Sequence, residues 1–414
     1  MVRREAAKKA LFVNRARKPT FRLCLLLTVL LPFIAFGQTE AVPGDNETTT
    51  DAFTYGSKGL QYSSVDGNNL LWFGVRLQAR YSSSQIFVDE LPGRIPEERS
   101  TFAINRGRFK LGGHLFDPAF EIYSEYDVVD SRLLDLRATY KFADWLSLRV
   151  GQWKAEFNRE RIDSSGAQQF VERSVVTPWF TIDRQRGVMA SGRISAGRRY
   201  DSSYWVGYLS GAGRGGDVTD ADGLWLGRFQ WNFTGRVLPF SQSDISRRKP
   251  AGSVAVALVS GRSAYTGFSS AGGGQLPGFA DGGADRYRIE QLLVETAYQS
   301  GGFSWQQELH WKTVKDTGAA TTRRLLGGYA QAGYFLHERW ASMPQPLELA
   351  LRYARVDPDR SVPDSLEREW TMAANWFFKG HRNKLTADLS SVRRVFAPET
   401  DKQTRFRMQW DVSF

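Results

Sequence analysis

Basic residues recur at every second or fourth position in three stretches of the chain: Arg76 and Arg80, then Arg106, Arg108 and Lys110, then Arg405 and Arg407 near the C-terminus. That spacing puts each set on one face of an extended strand. A guanidinium grips phosphate or carboxylate oxygens through two parallel N–H donors and keeps its charge at any physiological pH. Gathered on a common wall, these residues would attract and orient small oxyanions. Glu121, Glu125 and Asp127 follow on one face of the next stretch and act as counter-charges. Rows of opposite sign also build salt-bridged arrays that shape a channel's field without choosing a solute. Lining charge by itself therefore leaves a general solute pore open as the alternative.

Other chemistries find little support. The four histidines, His114, His310, His337 and His381, lack the i, i+4 spacing with an intervening Glu that marks a metal-binding helix. The single cysteine, Cys24, provides neither a disulfide framework nor a thiolate site. No metal and no cofactor are expected. His310 shares a face with Glu308 and Lys312, the beginnings of a hydrolase dyad, but a polar lining residue is the plainer reading and no catalytic residues are assigned. Gly-rich runs at 211–216 and 272–274 lack the following Lys-Ser/Thr of a phosphate-binding loop and read as outer loops.

The elements that must position the basic rows are strands. From Gln403 to Phe414 the chain alternates without a break, with Thr404, Phe406, Met408, Trp410, Val412 and Phe414 on one face and Arg405, Arg407, Gln409 and Asp411 on the other. Fifteen more segments alternate in the same way, beginning near Leu70. They follow at 101–115, 120–127, 134–142, 146–150, 188–194, 203–211, 224–236, 252–265, 286–299, 303–314, 325–336, 346–356, 368–378 and 383–395. The segments at 252–265 and 286–299 are the weakest, and Leu292-Leu293-Val294 points to a bulge in the latter. Link lengths divide by side: many even-to-odd links are short, such as Ala143-Asp144 and 300–302. Many odd-to-even links are long, with 237–251 the exception. Strands of this period, joined by short turns on one side and long loops on the other, predict an antiparallel transmembrane β-barrel of sixteen strands, apolar towards lipid and polar towards a lumen. Trp145, Trp205, Trp225, Trp231, Trp305, Trp311, Trp340, Trp370, Trp376 and Trp410 fall near strand ends and suit interfacial girdles. A soluble propeller would need a blade repeat of about 40–50 residues, and none recurs.

The N-terminus reads as an export signal. A basic stretch from Arg3 to Arg22 precedes the apolar run Leu23–Phe36 and a small-residue exit, so residues 1–37 are assigned to a signal peptide. They carry a net +7 of the chain's +11, which leaves little to favour a nucleic-acid partner. Residues 38–63 read as a periplasmic tail and 64–414 as the barrel. Residues 153–185 break the rhythm after the fifth strand.

The block 151–194 is where a family becomes recognisable. Gly151-Gln152-Trp153-Lys154-x-x-Phe157, Ser164-Ser165, Phe170-Val171-Glu172-Arg173-Ser174 and Asp183-Arg184-x-x-Gly187-Val188-x-x-Ser191-Gly192-Arg193 resemble the phosphate-selective porin O and P family. The resemblance implies a sixteen-stranded homotrimeric porin of the Gram-negative outer membrane that passes small anions such as phosphate or polyphosphate. It also implies that 153–185 is a constriction loop folded into the lumen. In phosphate-specific members that loop carries Lys-x-x-Ser-Ser-Lys, whose lysines and hydroxyls bind the anion. The matching positions here are Arg161, Ser164, Ser165 and Gly166, so the second cation is missing and Asp163 intervenes. Lys154, Arg161, Ser164 and Ser165 are the constriction candidates. Arg76, Arg80, Arg106, Arg108, Lys110, Arg405 and Arg407 form the lumen wall. Phe414 ends on the lipid face, as the resemblance to other outer-membrane barrels implies for a signal read by the insertion machinery. Outer-membrane lipid is the remaining expected partner.

Overall fold

The protein is described by a computed structural model covering residues 52–56, 58–88, 97–215, 223–283, 286–363, 365–396 and 399–414. The barrel strands are β1 (Leu70–Val88), β2 (Glu97–Leu115), β3 (Asp117–Asp127), β4 (Arg132–Ala143), β5 (Leu146–Lys154), β6 (Arg184–Ile194), β7 (Ser202–Leu209) and β8 (Leu224–Trp231). They continue with β9 (Ala251–Ser263), β10 (Tyr287–Ser300), β11 (Phe303–Asp316), β12 (Thr321–Phe335), β13 (Leu347–Asp357), β14 (Leu366–Phe377), β15 (Asn383–Phe396) and β16 (Glu399–Ser413). Each pairs antiparallel with its sequence neighbour, and β16 closes on β1 from Asp401↔Val88 to Ser413↔Arg76. The sixteen alternating segments correspond one for one to these strands. Closure leaves no unpaired edge in the hydrocarbon, where each unsatisfied backbone group would cost several kcal/mol.

The two faces divide as alternation requires. On β16, Phe406, Met408 and Trp410 are exposed, whereas Arg407, Gln409 and Asp411 between them are buried inside the barrel. Trp225, Trp311 and Trp370 lie outward near the loop ends of their strands, and Trp145, Trp231, Trp305, Trp376 and Trp410 lie outward near the turn ends. Trp205 departs from this belt. It is partly buried and packs inward against a lumen cluster, with the Arg228 guanidinium 5.7 Å from its ring.

Two local expectations are corrected. The bulge expected at Leu292-Leu293-Val294 is absent, because β10 keeps an unbroken register with both neighbours. Leu293 simply points inward into an apolar cluster. A register shift instead falls between Glu125 and Tyr126 on β3, opposite Asp135 and Leu133. It turns Leu134, which alternation places with the lipid-facing residues, into the interior, where it is 1% exposed.

The expected leader, residues 1–37, lies outside the described residues. Within the stretch read as a tail, Ala52–Gly56 and Gly59–Ser63 form a hairpin whose second strand pairs with β1 from Leu60↔Phe73 to Ser63↔Leu70. This hairpin prolongs the seam where β16 runs out. There the last residue is held by two main-chain hydrogen bonds, Val75 N–H to Phe414 O at 2.8 Å and Phe414 N–H to Val75 O at 3.0 Å. Deleting Phe414 removes both, each worth about 1 kcal/mol net, along with a lipid-facing ring. The fraction of compact, fast-migrating barrel in unheated electrophoresis of membrane fractions is expected to fall. A wild-type fraction would show that the last residue is not needed to close the seam.

Candidate functional site: an inward loop against a basic wall

Between Lys154 and Arg184 the chain leaves the wall and folds into the lumen, carrying two single-turn helices, α1 (Arg159–Ile162) and α2 (Thr177–Phe180). Its apolar residues explain where it rests. Phe157 and Ile182 pack with Ala257, Val259, Ile289 and Leu293 on the inner faces of β9 and β10. Val175, Val176, Trp179 and Phe180 pack with Val314, Leu325, Tyr329, Ala354 and Val356 of β11–β13. Phe170 packs with Ala350 and Ala373. Gly327 is required for this seat, since a Cβ there would lie 2.4 Å from the Phe180 ring.

The loop backbone is satisfied by charged wall residues. The first two N–H groups of α1 have no intrahelical acceptor, and Asn158 at the N-cap does not provide one. Glu295 of β10 accepts from Arg159 N–H (3.1 Å) and Glu308 of β11 from Glu160 N–H (2.7 Å). Asp388 of β15 accepts from Val171 N–H (2.9 Å) and Glu369 of β14 from Val175 N–H (2.8 Å). Wall cations serve the carbonyls: Arg228 donates to Phe157 O, Lys384 to Gln168 O, Arg352 to Glu172 O and Lys312 to Trp179 O. From the turn side, the long link after β8 rises beneath the loop, where Gln242 N–H donates to Ala167 O (3.1 Å) and its side chain accepts from Gln169 N–H (2.8 Å).

The basic wall is contiguous but largely paired. Arg76 is held bidentately by Asp411 at 2.7 and 2.9 Å. Arg407 is held the same way by Asp388 at 2.8 and 2.9 Å. Arg108 reaches Glu125 at 2.6 Å and Asp127 at 3.2 Å. Arg80 and Arg106 share Glu172 of the loop at 2.7 and 3.4 Å. Lys110 and Arg405 have no carboxylate partner among the described residues, and the buried Arg405 Nε has no hydrogen bond. Glu121 is exposed and makes no ion pair among the described residues.

The loop candidates separate in the same way. Arg161 is tied to Asp183 at 2.6 Å. Among the described residues Lys154 meets only the carbonyls of Ile162 and Asp163, at 3.5 and 3.4 Å. Ser164 and Ser165 accept from Arg76 Nη1 at 3.2 and 3.1 Å, so wall and loop meet at these hydroxyls. Gly166 makes the approach possible: a Cβ there would lie 2.5 Å from Arg76 Nη2. Arg76 of the wall thus lies beside position 166, against the two serine hydroxyls. Asp163 is fully buried with neither carboxylate oxygen hydrogen-bonded. Burial pushes its carboxyl up to about 7, against the pull of Arg159 and Arg173.

Two further lumen cations lie outside the candidate set. Arg173 donates to the carbonyls of Glu160, Arg161 and Asp163 and to the side-chain oxygen of Gln168, and Arg137 lies over the Tyr123 ring at 4.8 Å; neither makes an ion pair among the described residues. Inward strand parity marks Arg137 in the sequence, whereas nothing local distinguishes the loop's free cations from its paired ones. The hydrolase arrangement around His310 is not assembled. His310 is 1% exposed and bonded to Glu308 at 2.9 Å, with Phe180 stacked 5.0 Å away, and its Nδ1 has no partner.

A sequence model of the family described as phosphate-selective porin O and P matches residues 81–414. No curated protein matches the chain. Among solved structures, in-vitro folded OmpT, an outer membrane protein of Vibrio cholerae, aligns with TM-score 0.54 at 8% identity over 83% of this chain and 98% of that one. Outer-membrane expressed OmpT of the same organism gives TM-score 0.51 at 8% identity over 84% and 98%. An anion-selective porin from Comamonas acidovorans gives TM-score 0.49 at 10% identity over 82% and 99%. The OmpT likenesses speak for the barrel fold, and the family match covers most of that barrel. The chain belongs to the phosphate-selective porin O and P family and is a porin of the bacterial outer membrane.

Proposed function

We propose that the pore passes small oxyanions, phosphate among them, along a route between the inward loop and the wall of β1–β5. One observation carries this reading: Lys110, Arg137, Lys154 and Arg173 converge on that side, half-buried and without a carboxylate partner among the described residues. Among the described lumen carboxylates without a Lys or Arg partner, Glu308 and Glu348 are sealed beneath the loop and bonded to it, Asp163 is buried within the loop, and Glu121 is exposed near the turn end of β3. Arg76, Ser164 and Ser165 offer a partly desolvated anion its closest contacts, a charged donor flanked by two hydroxyls. The pairing of Arg76 with Asp411 and of Arg407 with Asp388 favours the second reading, a weakly selective porin for small solutes. The two readings separate in planar bilayers by conductance in phosphate, chloride and sugar solutions.

We further propose that the chain assembles as a homotrimer after removal of residues 1–37, with 64–414 as the barrel and Phe414 presented to the insertion machinery. A monomeric mass in mild detergent would overturn the trimer.

Reversal potentials in a KCl gradient are expected to show Cl⁻ preferred over K⁺. Each unpaired cation at ~6 Å in water contributes about 0.7 kcal/mol. Replacing Lys154 and Arg173 together by Gln should therefore lower the permeability ratio about tenfold. A ratio unchanged by both substitutions would remove the loop from the selective contact. Asp163 adds a pH dependence. Its carboxyl is neutral below about pH 7 and gains a charge beside Arg159 and Arg173 above it. Because the folded value lies above the ordinary 3.8, the stabilisation this gives the seated loop is lost as pH rises through about 7. Anion preference should fall between pH 6 and pH 8, and Asp163→Asn should flatten the profile; an identical profile in that variant would assign the titration elsewhere.

A further inference from the structure

The outward face of the last four strands carries a feature that conduction does not use. Arg355, Arg368, Arg393 and Lys402 stand directly opposite one another in the ladder, as Arg355↔Arg368, Arg368↔Arg393 and Arg393↔Lys402. All four are exposed, and none makes an ion pair or side-chain hydrogen bond among the described residues. Asp357, two residues beyond Arg355 on the same face, has a buried oxygen with no hydrogen bond and makes no ion pair with it. Like charges directly opposite in adjacent strands repel across ~5 Å. Such a row costs stability, and an anion from outside the chain that bound across it would relieve the repulsion.

Its position identifies the anion's surroundings. All four residues lie at the strand ends remote from Phe414 and from the first residue of β1, which is the outer side of a barrel with short periplasmic turns. One row nearer the membrane centre, Tyr353 and Trp370 face outward with ring centroids 4.6 Å apart, an aromatic pair of the kind found at headgroup level. The next row, Leu351, Met372, Leu389 and Phe406, borders a shallow outward groove of about 570 Å³ that Ala374 and Ala387 keep open. Four residues separate cations from groove, about 13 Å along the strands. Charge at headgroup height and an apolar trough beneath it match a molecule with phosphate at one end and acyl chains at the other.

We propose that this row and the groove below it form a docking site for a phosphate-bearing lipid of the outer leaflet. A second copy of the chain fits the face poorly, because self-association would bring further cations against the row without supplying counter-charge. Free phosphate would satisfy the row and leave the groove unexplained. The proposal concerns the lipid-facing surface and does not depend on which solute the pore passes.

The test is native mass spectrometry of the full barrel in detergent, titrated with diphosphorylated lipid A and, in parallel, with zwitterionic phosphatidylcholine. Wild type should bind lipid A in preference to phosphatidylcholine. At about 1 kcal/mol per basic residue near anionic lipid, Arg368→Glu with Arg393→Glu should weaken lipid A binding by at least roughly tenfold. Arg368→Gln with Arg393→Gln should give a smaller loss, and serves if the charge reversal does not fold. Single-channel conductance, to which none of the four contributes, reports folding. Equal lipid A binding by the variants overturns the proposal. So does displacement of lipid A by millimolar inorganic phosphate, which would make the row a free-anion site. A changed oligomeric state with unchanged lipid binding overturns it too, by making the face an interface between copies.

Discussion

Irregular backbone at membrane depth survives only where protein wraps it and satisfies its polar groups. The inward loop is such a backbone, and the far wall is built around its needs. Four carboxylates from β10, β11, β14 and β15 accept loop N–H groups, and four cations from β8, β12-flanking β11 and β13, and β15 donate to loop carbonyls. Charge-assisted hydrogen bonds of this kind are short and strongly oriented. They fix the loop's height and angle, and with it the width of the route on the opposite side. The charges engaged in holding the loop are also withdrawn from the route, so the lumen's formal charge count overstates the field an ion meets.

This seating explains which parts of the fold were legible in the sequence. Strands lined by polar groups on one side and lipid on the other alternate cleanly, and β16 is readable residue by residue. Strands beneath the loop do not. Ala257 and Val259 on β9 and Ile289 and Leu293 on β10 face the lumen yet are apolar, because they form the loop's seat. The two segments with the weakest alternation are therefore the two that bear the Phe157 end of the loop. Leu134 misleads for another reason: a bulge resets strand phase, and period-two reasoning has no term for it.

The loop's location was legible as a break in rhythm, but its charge pairing was not. Arg76 and Asp411 lie at opposite ends of the sequence, and only the seam register, which sets Ser413 opposite Arg76, brings Asp411 within reach. Arg407 finds Asp388 across one strand pair by the same rule of ladder geometry. Strand parity can tell which basic residues face the lumen; it cannot tell which of them are neutralised there. Gly166 shows the converse. A missing lysine in the sequence reads as a lost cation, whereas in the fold its absence is what admits Arg76 to the two serine hydroxyls.

Sorting cations by partner rather than by number gives the barrel's basic residues distinct meanings. Those paired in the interior set geometry, and removing one member would strand a buried charge, which is costlier than never having had the pair. Those left unpaired on the lumen side beside the loop keep their field available to a passing anion. Those left unpaired outside, in a cross-strand row at headgroup height, repel one another unless something beyond the chain answers them. The same residue type thus acts as a brace, a lure or an anchor according to what the ladder places opposite it. That assignment is a property of register, and register in a closed barrel is set jointly by all sixteen strands rather than by any one of them.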